Sequence, residues 1–517
     1  MNFDAFFFRC SWLLLLLFTA CGSPRSLQNT SPAFSLSEKQ NLELFDQLYQ
    51  QTLERQSQSP LKNQRLQLDL SRDLFATRPY FKKARKPAEL FYAVRRFSCA
   101  RRDQHLFVKP LKEGLSMEEL ARHSRYDADQ NHTPIRVAID YRQPGKYFAF
   151  VSSIALNYLS STPLKAGDRI VAVNGQPFDR YAAQLDPFLN YSTELGRWEM
   201  LAALLPGRTV FLPPAFYRKE LELELENTEG LRYSVQLPYG KSQDWQWPAS
   251  VPYSGFSRMR QFKSFDLYMA DDEGPVLLLS WKNFGKTLRS DIDELMEWVV
   301  ERERLENDLI IDATGSRGGQ HGVYALQHFS SQPFRITFGD LKISTITPAF
   351  IKKKTSTTAN VPLQRWLGEE LPSYMEQGLA YSPAVPFKWQ YLPGTDGRLA
   401  LAEPHFRGQL LVILGPRGGS QLDQFAAIVK DNQLGTLIGM PAGGYSNTWE
   451  WEETITYPRT ERRLFRFNWS IGNTYRPNGE VLEGNPAEMD GYLPLSSDNF
   501  QHYPQLLLER ALAELNN

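Results

Sequence analysis

The sequence has 517 residues, 42% hydrophobic and 22% charged, which is enough for two or three domains with apolar cores. Its 58 Lys and Arg balance its 58 Asp and Glu, so no global field attracts nucleic acid, and we expect no nucleic-acid partner. It contains no His-Glu-x-x-His motif, clustered Cys/His spacing or Walker loop, so it predicts neither a catalytic metal nor a cofactor.

The N-terminus has the layout of a signal peptide, because a single Arg precedes an apolar run that is too short to span a bilayer. The stretch Phe18-Thr19-Ala20-Cys21 resembles the lipobox of bacterial lipoproteins, in which the cysteine is acylated. An ordinary secretory signal cleaved nearby is the alternative. We predict a signal peptide over residues 1–20, a lipid on Cys21 and a flexible tether over 21–36, rich in Ser, Pro, Asn and Gln.

The residue after Cys21 bears on location. It is Gly22 rather than Asp, and by analogy with lipoprotein sorting we expect a periplasm-facing protein held on the outer membrane by its lipid. Once Cys10 is removed with the signal and Cys21 is acylated, only Cys99 remains. No intrachain disulfide is then possible, so stability must come from packing.

Residues 37–134 are predicted to form an N-terminal helical region. Apolar residues recur every three or four positions over 37–56, which predicts an amphipathic helix, and a second helix is predicted over 87–97. The pattern then changes to a short strand. The turn between this helix and the strand carries Asp103 and His105.

Short apolar runs separated by Gly, Pro and Asn predict a small β-rich domain over 135–240. Residues 167–175, Gly-Asp-Arg-Ile-Val-Ala-Val-Asn-Gly, resemble the Gly-Asp-x-Ile-x-x-Val-Asn-Gly segment of PDZ domains, and residues 186–214 look like a helical insertion. An unrelated hairpin with an Asn-Gly turn is the alternative. The PDZ resemblance implies that this domain binds the end of a polypeptide as an added strand.

Strand and helix patterns alternate over 257–517, which predicts an α/β (α+β) core with sites at the strand ends. A helix is predicted over 288–303. Buried strands are predicted at four apolar runs, 276–281, 309–312, 410–414 and 436–439.

Two Gly-rich turns follow these strands. In the first, residues 312–319, Asp-Ala-Thr-Gly-Ser-Arg-Gly-Gly, glycines allow backbone N–H groups to face a bound oxygen, as an oxyanion site requires. The second, residues 415–423, puts Ser420 at a strand-to-helix corner, where a helix N-terminus stabilises negative charge. The alternatives are a structural or phosphate-binding turn, and a Ser420 that only caps its helix together with Asp423.

In this order, the motifs resemble those of the tail-specific (C-terminal processing) and tricorn-core serine peptidases. The first turn is similar to the family's Asp-Leu-Arg-x-x-x-Gly-Gly motif, with Thr314 in place of Arg, and the second is similar to its nucleophile segment, with Asp423 where Glu is commoner. The turn over 435–445 is similar to the one that carries the general-base Lys of the tail-specific members. Tyr445 stands at that position, so the turn supplies no lysine.

The tricorn-like branch uses a Ser, a His and an acid, and Asp103-Gln104-His105 fits the place of its His. His321 is the competitor, because its turn should border the site. Residues 476–490 resemble the family's closing Pro-x-Gly, Glu-x-x-x-x-Pro-x-x-Asp passage, in which Glu483 is the matching carboxylate. A solvated loop glutamate is the alternative for Glu483.

The resemblance implies a serine endopeptidase or carboxy-terminal processing peptidase of the Ser/His/Glu type, acting on exported or periplasmic polypeptides. His105 would take the proton of Ser420, and Glu483 would orient the imidazole. The N–H groups that would hold the oxyanion belong to Gly318 or Gly319 and to Gln421.

A catalytically silent protein is the alternative function. In that interpretation the lipoprotein keeps a peptidase fold and serves as a peptide-binding or envelope assembly module. Thr314 and Asp423, which depart from the family pattern, favour it.

Overall fold

A computed structural model describes residues 36–516, except 113, 125, 250–252, 272–273, 387–390, 395 and 448. The predicted signal peptide, Cys21 and nearly all of the predicted tether lie outside the described residues. None of the helices in the part of the chain that the structure describes has both the length and the apolar character that crossing a bilayer requires.

Helices occur along the whole described chain. They are α1 (Glu38–Arg55), α2 (Pro60–Arg65), α3 (Leu70–Phe75), α4 (Arg78–Lys83), α5 (Pro87–Cys99), α6 (Met117–Ser124), α7 (Leu156–Leu159), α8 (Phe178–Leu185), α9 (Glu194–Leu204), α10 (Leu288–Glu301), α11 (Gly322–Phe329), α12 (Thr347–Thr355), α13 (Val361–Arg365), α14 (Leu371–Glu376), α15 (Gln421–Asp431) and α16 (Tyr503–Leu515).

The strands form several sheets. They are β1 (Val108–Pro110), β2 (Ile135–Asp140), β3 (Phe148–Ile154), β4 (Arg169–Val173), β5 (Gln176–Pro177), β6 (Leu221–Glu226), β7 (Arg232–Leu237), β8 (Phe256–Gln261), β9 (Phe265–Ala270), β10 (Val276–Trp281), β11 (Asn283–Phe284), β12 (Asp308–Asp312), β13 (Arg317–Gly319), β14 (Phe338–Gly339), β15 (Val385–Pro386), β16 (Leu410–Leu414), β17 (Thr436–Gly439), β18 (Glu450–Thr456), β19 (Arg463–Ser470), β20 (Thr474–Tyr475) and β21 (Gly491–Tyr492).

The largest sheet has seven strands in the order β21-β17-β16-β12-β10-β9-β8. The strands from β21 to β10 are parallel, and β9 and β8 continue the sheet in antiparallel fashion. Strands β10, β12, β16 and β17 are the four apolar runs from which strands were predicted, and α10 is the predicted helix. The mixed α/β fold class is therefore confirmed.

Both faces of this sheet are covered, which explains why its strands are continuously apolar. In β16, Leu410, Val412 and Leu414 pack against the cluster that includes α10, α11 and α15. Leu411 and Ile413 point to the other face, where they pack with α16. Each such buried side chain contributes about 1.5–3 kcal/mol. The ends of β12 and β16 are thereby fixed side by side, with the two Gly-rich turns adjacent.

A second sheet is antiparallel and contains β2, β3, β4, β6 and β7 in that order, with β5 paired to β4. The Asn-Gly turn joins β4 to β5. Strand β2 lies at the sheet edge, and α9 packs beside it. The PDZ-like character of residues 135–240 stays a prediction.

The N-terminal region and the C-terminal part of the chain share a sheet, because β1 pairs with β19, which pairs with β18. Side-chain contacts reinforce this pairing. The backbone N–H of Phe107 donates to Asn468 Oδ1 (2.7 Å), and the buried guanidinium of Arg101 donates to the Asn468 carbonyl (2.6 Å). The turn that carries Asp103 and His105 is held against the core by these contacts.

Candidate active site

Ser420 lies at the corner between β16 and α15 in a backbone conformation that is rare for a residue with a side chain. Its φ is 61° and its ψ is −116°. Such a conformation costs about 1–3 kcal/mol and persists only where the surroundings enforce it. The Ser420 N–H donates to the Tyr445 carbonyl (2.8 Å) and to Asp423 Oδ2 (3.1 Å). The strand-to-helix corner predicted for Ser420 is thus a strained turn, the geometry used by serine nucleophiles in other folds.

The Asp423 side chain stabilises the corner at Ser420 by hydrogen bonds. Its carboxyl group is fully buried and also accepts hydrogen bonds from the N–H groups of Gly444 and Tyr445, both at 3.0 Å. Burial raises the pKa of Asp423 to about 8, although its backbone donors favour the ionised form. One side chain therefore connects the corner at Ser420 to the turn over 443–445.

Gly318 brings the first Gly-rich turn into direct contact with Ser420. A Cβ atom at Gly318 would lie 2.5 Å from Ser420 Cβ and 2.9 Å from Ser420 Oγ, so a side chain does not fit at this position. Gly319 follows in β13, which pairs with β11. Gln421 is the first residue of α15. Gly318 thus borders Ser420 and Gln421 follows it directly, whereas Gly319 packs against Phe284. The role of all three residues as an oxyanion site stays a prediction.

His105 is half-buried in the turn after α5. Its backbone N–H donates to Asp103 Oδ1 (3.0 Å), and its ring packs edge-on against the Tyr445 ring, with 5.1 Å between ring centroids. Its Nδ1 is buried and makes no hydrogen bond with any described residue. Ser420 and His105 therefore both contact Tyr445. Direct contact between Ser420 and His105 stays a prediction.

Asp103 is a buried carboxylate beside His105. Besides the His105 N–H, it accepts hydrogen bonds from the Ser470 hydroxyl (2.6 Å) and from the Asn447 amide (2.7 Å). Burial acts to raise the pKa of Asp103, but Lys62, His105 and the Ser470 hydroxyl outweigh burial, and the pKa lies below its usual value. Asp103 is therefore a buried anion near the His105 imidazole.

Glu483 is 2% exposed, which rules out a solvated loop glutamate. Its Oε1 lies 3.0 Å from Lys62 Nζ, and its Oε2 accepts a hydrogen bond from the Ser446 N–H (2.8 Å). Burial raises the pKa of Glu483, which Lys62 lowers and Asp103 raises further. Its predicted role as the acid that orients His105 stays a prediction.

Asp103, His105 and Glu483 are the only described residues that form a group with metal-ligand spacing, since their donor atoms lie within 4.8 Å of one another. The Lys62 ammonium already binds Glu483, and the oxygens of Asp103 already accept three hydrogen bonds. A neighbouring cation and occupied acceptors do not suit a bound metal ion. The group suits acid–base chemistry instead.

The competing histidine lies in a different environment. His321 is the N-cap residue that precedes α11, with a φ of 66°, and its Nδ1 lies 3.3 Å from the hydroxyl of Tyr391. Of the two candidates for the base, His105 is the one that belongs to the group with two buried carboxylates.

Sequence reasoning did not identify Lys62, Asn447, Ser470 or Tyr141 as residues near the site. The only local signal at Lys62 is the Ser59-Pro60 start of its helix, and nothing in that signal points to a partner 421 residues away. Such pairings become visible only once the fold brings the segments together.

A groove lies between the second sheet and the loop that precedes Ser420. It encloses about 430 Å³ between β2, α9 and residues 415–417. Glu199 of α9 connects its two sides, because its carboxylate accepts a hydrogen bond from the Tyr141 hydroxyl (2.7 Å) and pairs with Arg417 Nε (2.8 Å). The groove lining thus includes Arg417, which precedes Ser420 by three residues in the sequence.

No family model and no curated protein matches this chain. Mature CPAF is similar over 92% of this chain and 98% of that chain, with 14% identity and a TM-score of 0.67. Mature CPAF complexed with lactacystin is similar over 92% of this chain and 99% of that chain, with 12% identity and a TM-score of 0.66. A photosystem II D1 C-terminal processing protease covers 88% of this chain and 93% of that chain, with 12% identity and a TM-score of 0.40. The chain therefore has the fold of mature CPAF along nearly its whole length.

Proposed function

We propose that this protein is a serine peptidase in which Ser420 is the nucleophile, His105 the general base and Glu483 the acid. The observation that carries the proposal is the strained backbone of Ser420 at a strand-to-helix corner, pressed against Gly318. A residue that only capped its helix would have no need of this conformation. The fold shared with mature CPAF, a family resemblance in the motifs and the carboxylates beside His105 support the same function.

The proposed chemistry is acyl transfer to water. Ser420 Oγ attacks a peptide carbonyl as its proton passes to His105, and Glu483 and Asp103 stabilise the imidazolium that forms. The N–H groups of the Gly318–Gly319 turn and of Gln421 would hold the oxyanion. His105 then gives the proton to the leaving amine, and water releases the acyl group by the reverse steps.

The proposed substrates are exported or periplasmic polypeptides bound by a chain end. Strand β2 lies at a sheet edge, so an extended peptide can pair with it, and the groove beside it leads to residues 415–417 before Ser420. Both endopeptidase and carboxy-terminal processing activity are compatible with this geometry.

We also propose a lipid anchor on Cys21 that holds the protein at the outer membrane, facing the periplasm. We expect Cys21→Ala to move the protein from the membrane fraction to the soluble periplasmic fraction, because one chemical group supplies the anchor. Fractionation followed by immunoblotting measures this. A Cys21→Ala protein that stays wholly in the membrane fraction would contradict the anchor.

The second candidate is a silent peptide-binding module. Thr314 favours it, because its hydroxyl donates to Asp312 Oδ1 (2.6 Å) where the family motif would supply a cation. In this case the groove would bind polypeptide and Ser420 would not react.

Hydrolysis of an unstructured, internally quenched polypeptide distinguishes the two candidates. We expect the wild-type protein to cleave it and Ser420→Ala to lose about 10³-fold or more in kcat while still binding it, because only the nucleophile is removed. Ser290→Ala, an exposed serine near the start of α10, is the matched control and should retain full activity. Binding without cleavage by the wild-type protein would favour the silent module.

A further inference from the structure

Side chains at the start of α2 and within it bind the segment that carries Glu483, the proposed catalytic acid. Within one and a half turns of this helix start, the Ser59 hydroxyl donates to the Glu483 carbonyl (2.6 Å), and Lys62 Nζ lies 3.0 Å from Glu483 Oε1. Arg65 Nη1 then donates to the Gly484 carbonyl (2.9 Å). Three side chains spaced three residues apart therefore hold one dipeptide.

The contact between α2 and Glu483 is close and shielded from solvent. The side chains of Lys62 and Glu483 are only 6% and 3% exposed. A Cβ atom at Gly484, whose φ is 75°, would lie 2.4 Å from Lys62 Cβ, so glycine is what permits the approach. A buried ammonium on a long side chain is costly unless it is paired, so its placement here needs a reason.

The charges around His105 explain why a lysine is buried at position 62. Asp103 and Glu483 are both buried, and their oxygens lie within 4.8 Å of each other and of a ring nitrogen of His105. Two neighbouring buried carboxylates repel, and without a cation one of them takes up a proton. Lys62 acts electrostatically on both. With Lys62 charged, two carboxylates and one ammonium leave a net charge of about −1, which suits an imidazole that must become positive.

Other charged groups face the same cluster. Glu483 acts to raise the pKa of Asp423, and Glu450 faces both Asp103 and His105. Arg101 lies near Asp103, but its guanidinium is bound to Ser98 and to the Asn468 carbonyl. Lys62 is thus the cation that contacts Glu483 directly.

We propose that Lys62 is a positioning residue that keeps Glu483 ionised and fixes its carboxylate beside His105, so that the N-terminal region completes the site. This inference rests on the proposed peptidase function. Burial raises the pKa of Glu483, and Lys62 lowers it. Without Lys62 the carboxylate takes up its proton at a higher pH, and activity is lost earlier as the pH falls.

The test compares the pH dependence of polypeptide hydrolysis in the full chain with that of Lys62→Met and Lys62→Arg. We expect Lys62→Met to shift the acid limb of kcat/KM upward by about 1 pH unit or more, with KM at high pH little changed. Lys62→Arg should restore the wild-type profile. Lys342→Met is the matched control, because Lys342 Nζ binds the carbonyls of Leu53 and Gln56 in the same N-terminal region without touching Glu483. It should leave the profile unchanged even if stability falls.

A second comparison covers the case in which Lys62→Met fails to fold. In a Glu483→Gln background no buried carboxylate is left unpaired at this position, so removal of Lys62 should be tolerated. If Lys62 acts through Glu483, the double variant should have the same kcat as Glu483→Gln alone.

The possible failures are distinguishable. A wild-type protein that does not hydrolyse polypeptide overturns both the peptidase function and this inference. An active wild type whose acid limb is unchanged in Lys62→Met overturns only the role of Lys62. A further loss of kcat in the double variant would likewise show that Lys62 does not act through Glu483.

Discussion

Replacing His105 by alanine should lower kcat for polypeptide hydrolysis by about 10³-fold or more and leave the fold intact, because a serine hydroxyl is a poor nucleophile without a base. His105 is half-buried, and its side chain contributes mainly an edge contact with Tyr445. The loss should therefore appear in kcat rather than in the melting temperature. Steady-state kinetics and thermal unfolding of the same preparations measure both.

His321→Ala is the matched control for this experiment. Its ring lies against Tyr391, and we expect its kcat to stay within about threefold of the wild type. If His321→Ala abolished hydrolysis and His105→Ala did not, the base would be wrongly assigned while the nucleophile could stand.

Replacing Asp423 by alanine should lower the free energy of unfolding by about 2 kcal/mol or more, because the N–H groups of Gly444 and Tyr445 would lose their acceptor and each costs about 1–3 kcal/mol when buried and unpaired. The Ser420 N–H would lose one of its two acceptors and keep the Tyr445 carbonyl. The strained conformation of Ser420 depends on the same contacts, so kcat should also fall by about 10²-fold. Urea unfolding and steady-state hydrolysis measure the two effects.

Asp179→Ala is a matched control, because Asp179 also lies in the first turn of a helix but is exposed. Its unfolding free energy should change by less than about 1 kcal/mol. Equal destabilisation of the two variants would show that Asp423 acts only as a helix-end charge and does not brace the corner.

Strands could be predicted where the local sequence alone determines them, as in the seven-stranded sheet. Strand β16 is apolar at five consecutive positions because both faces of the sheet are covered, and such a run is visible without knowledge of the fold. Strands β18 and β19 could not be predicted in the same way. The start of β18, Glu-Trp-Glu-Glu-Thr, mixes charged and aromatic residues, and its sheet is completed by β1 from the other end of the chain.

The candidate site, too, was predictable only where the deciding residues are adjacent in sequence. The corner at Ser420 was predictable because a strand, a Gly-rich turn and a helix start are adjacent in sequence. Its positive φ was not, because it is imposed by Asp423 and the Tyr445 carbonyl. The pairing of Lys62 with Glu483 was also not predictable, since a lysine in a short polar helix has no sequence signature that distinguishes a buried partner from solvent.

The central claim, that Ser420 is an activated nucleophile, is tested most directly by reacting the folded protein with a fluorophosphonate and locating the adduct by mass spectrometry. We expect one phosphonylated residue, Ser420, with labelling lost in Ser420→Ala and strongly slowed in His105→Ala. Labelling at another serine, or no labelling of a folded wild-type protein, would contradict the claim.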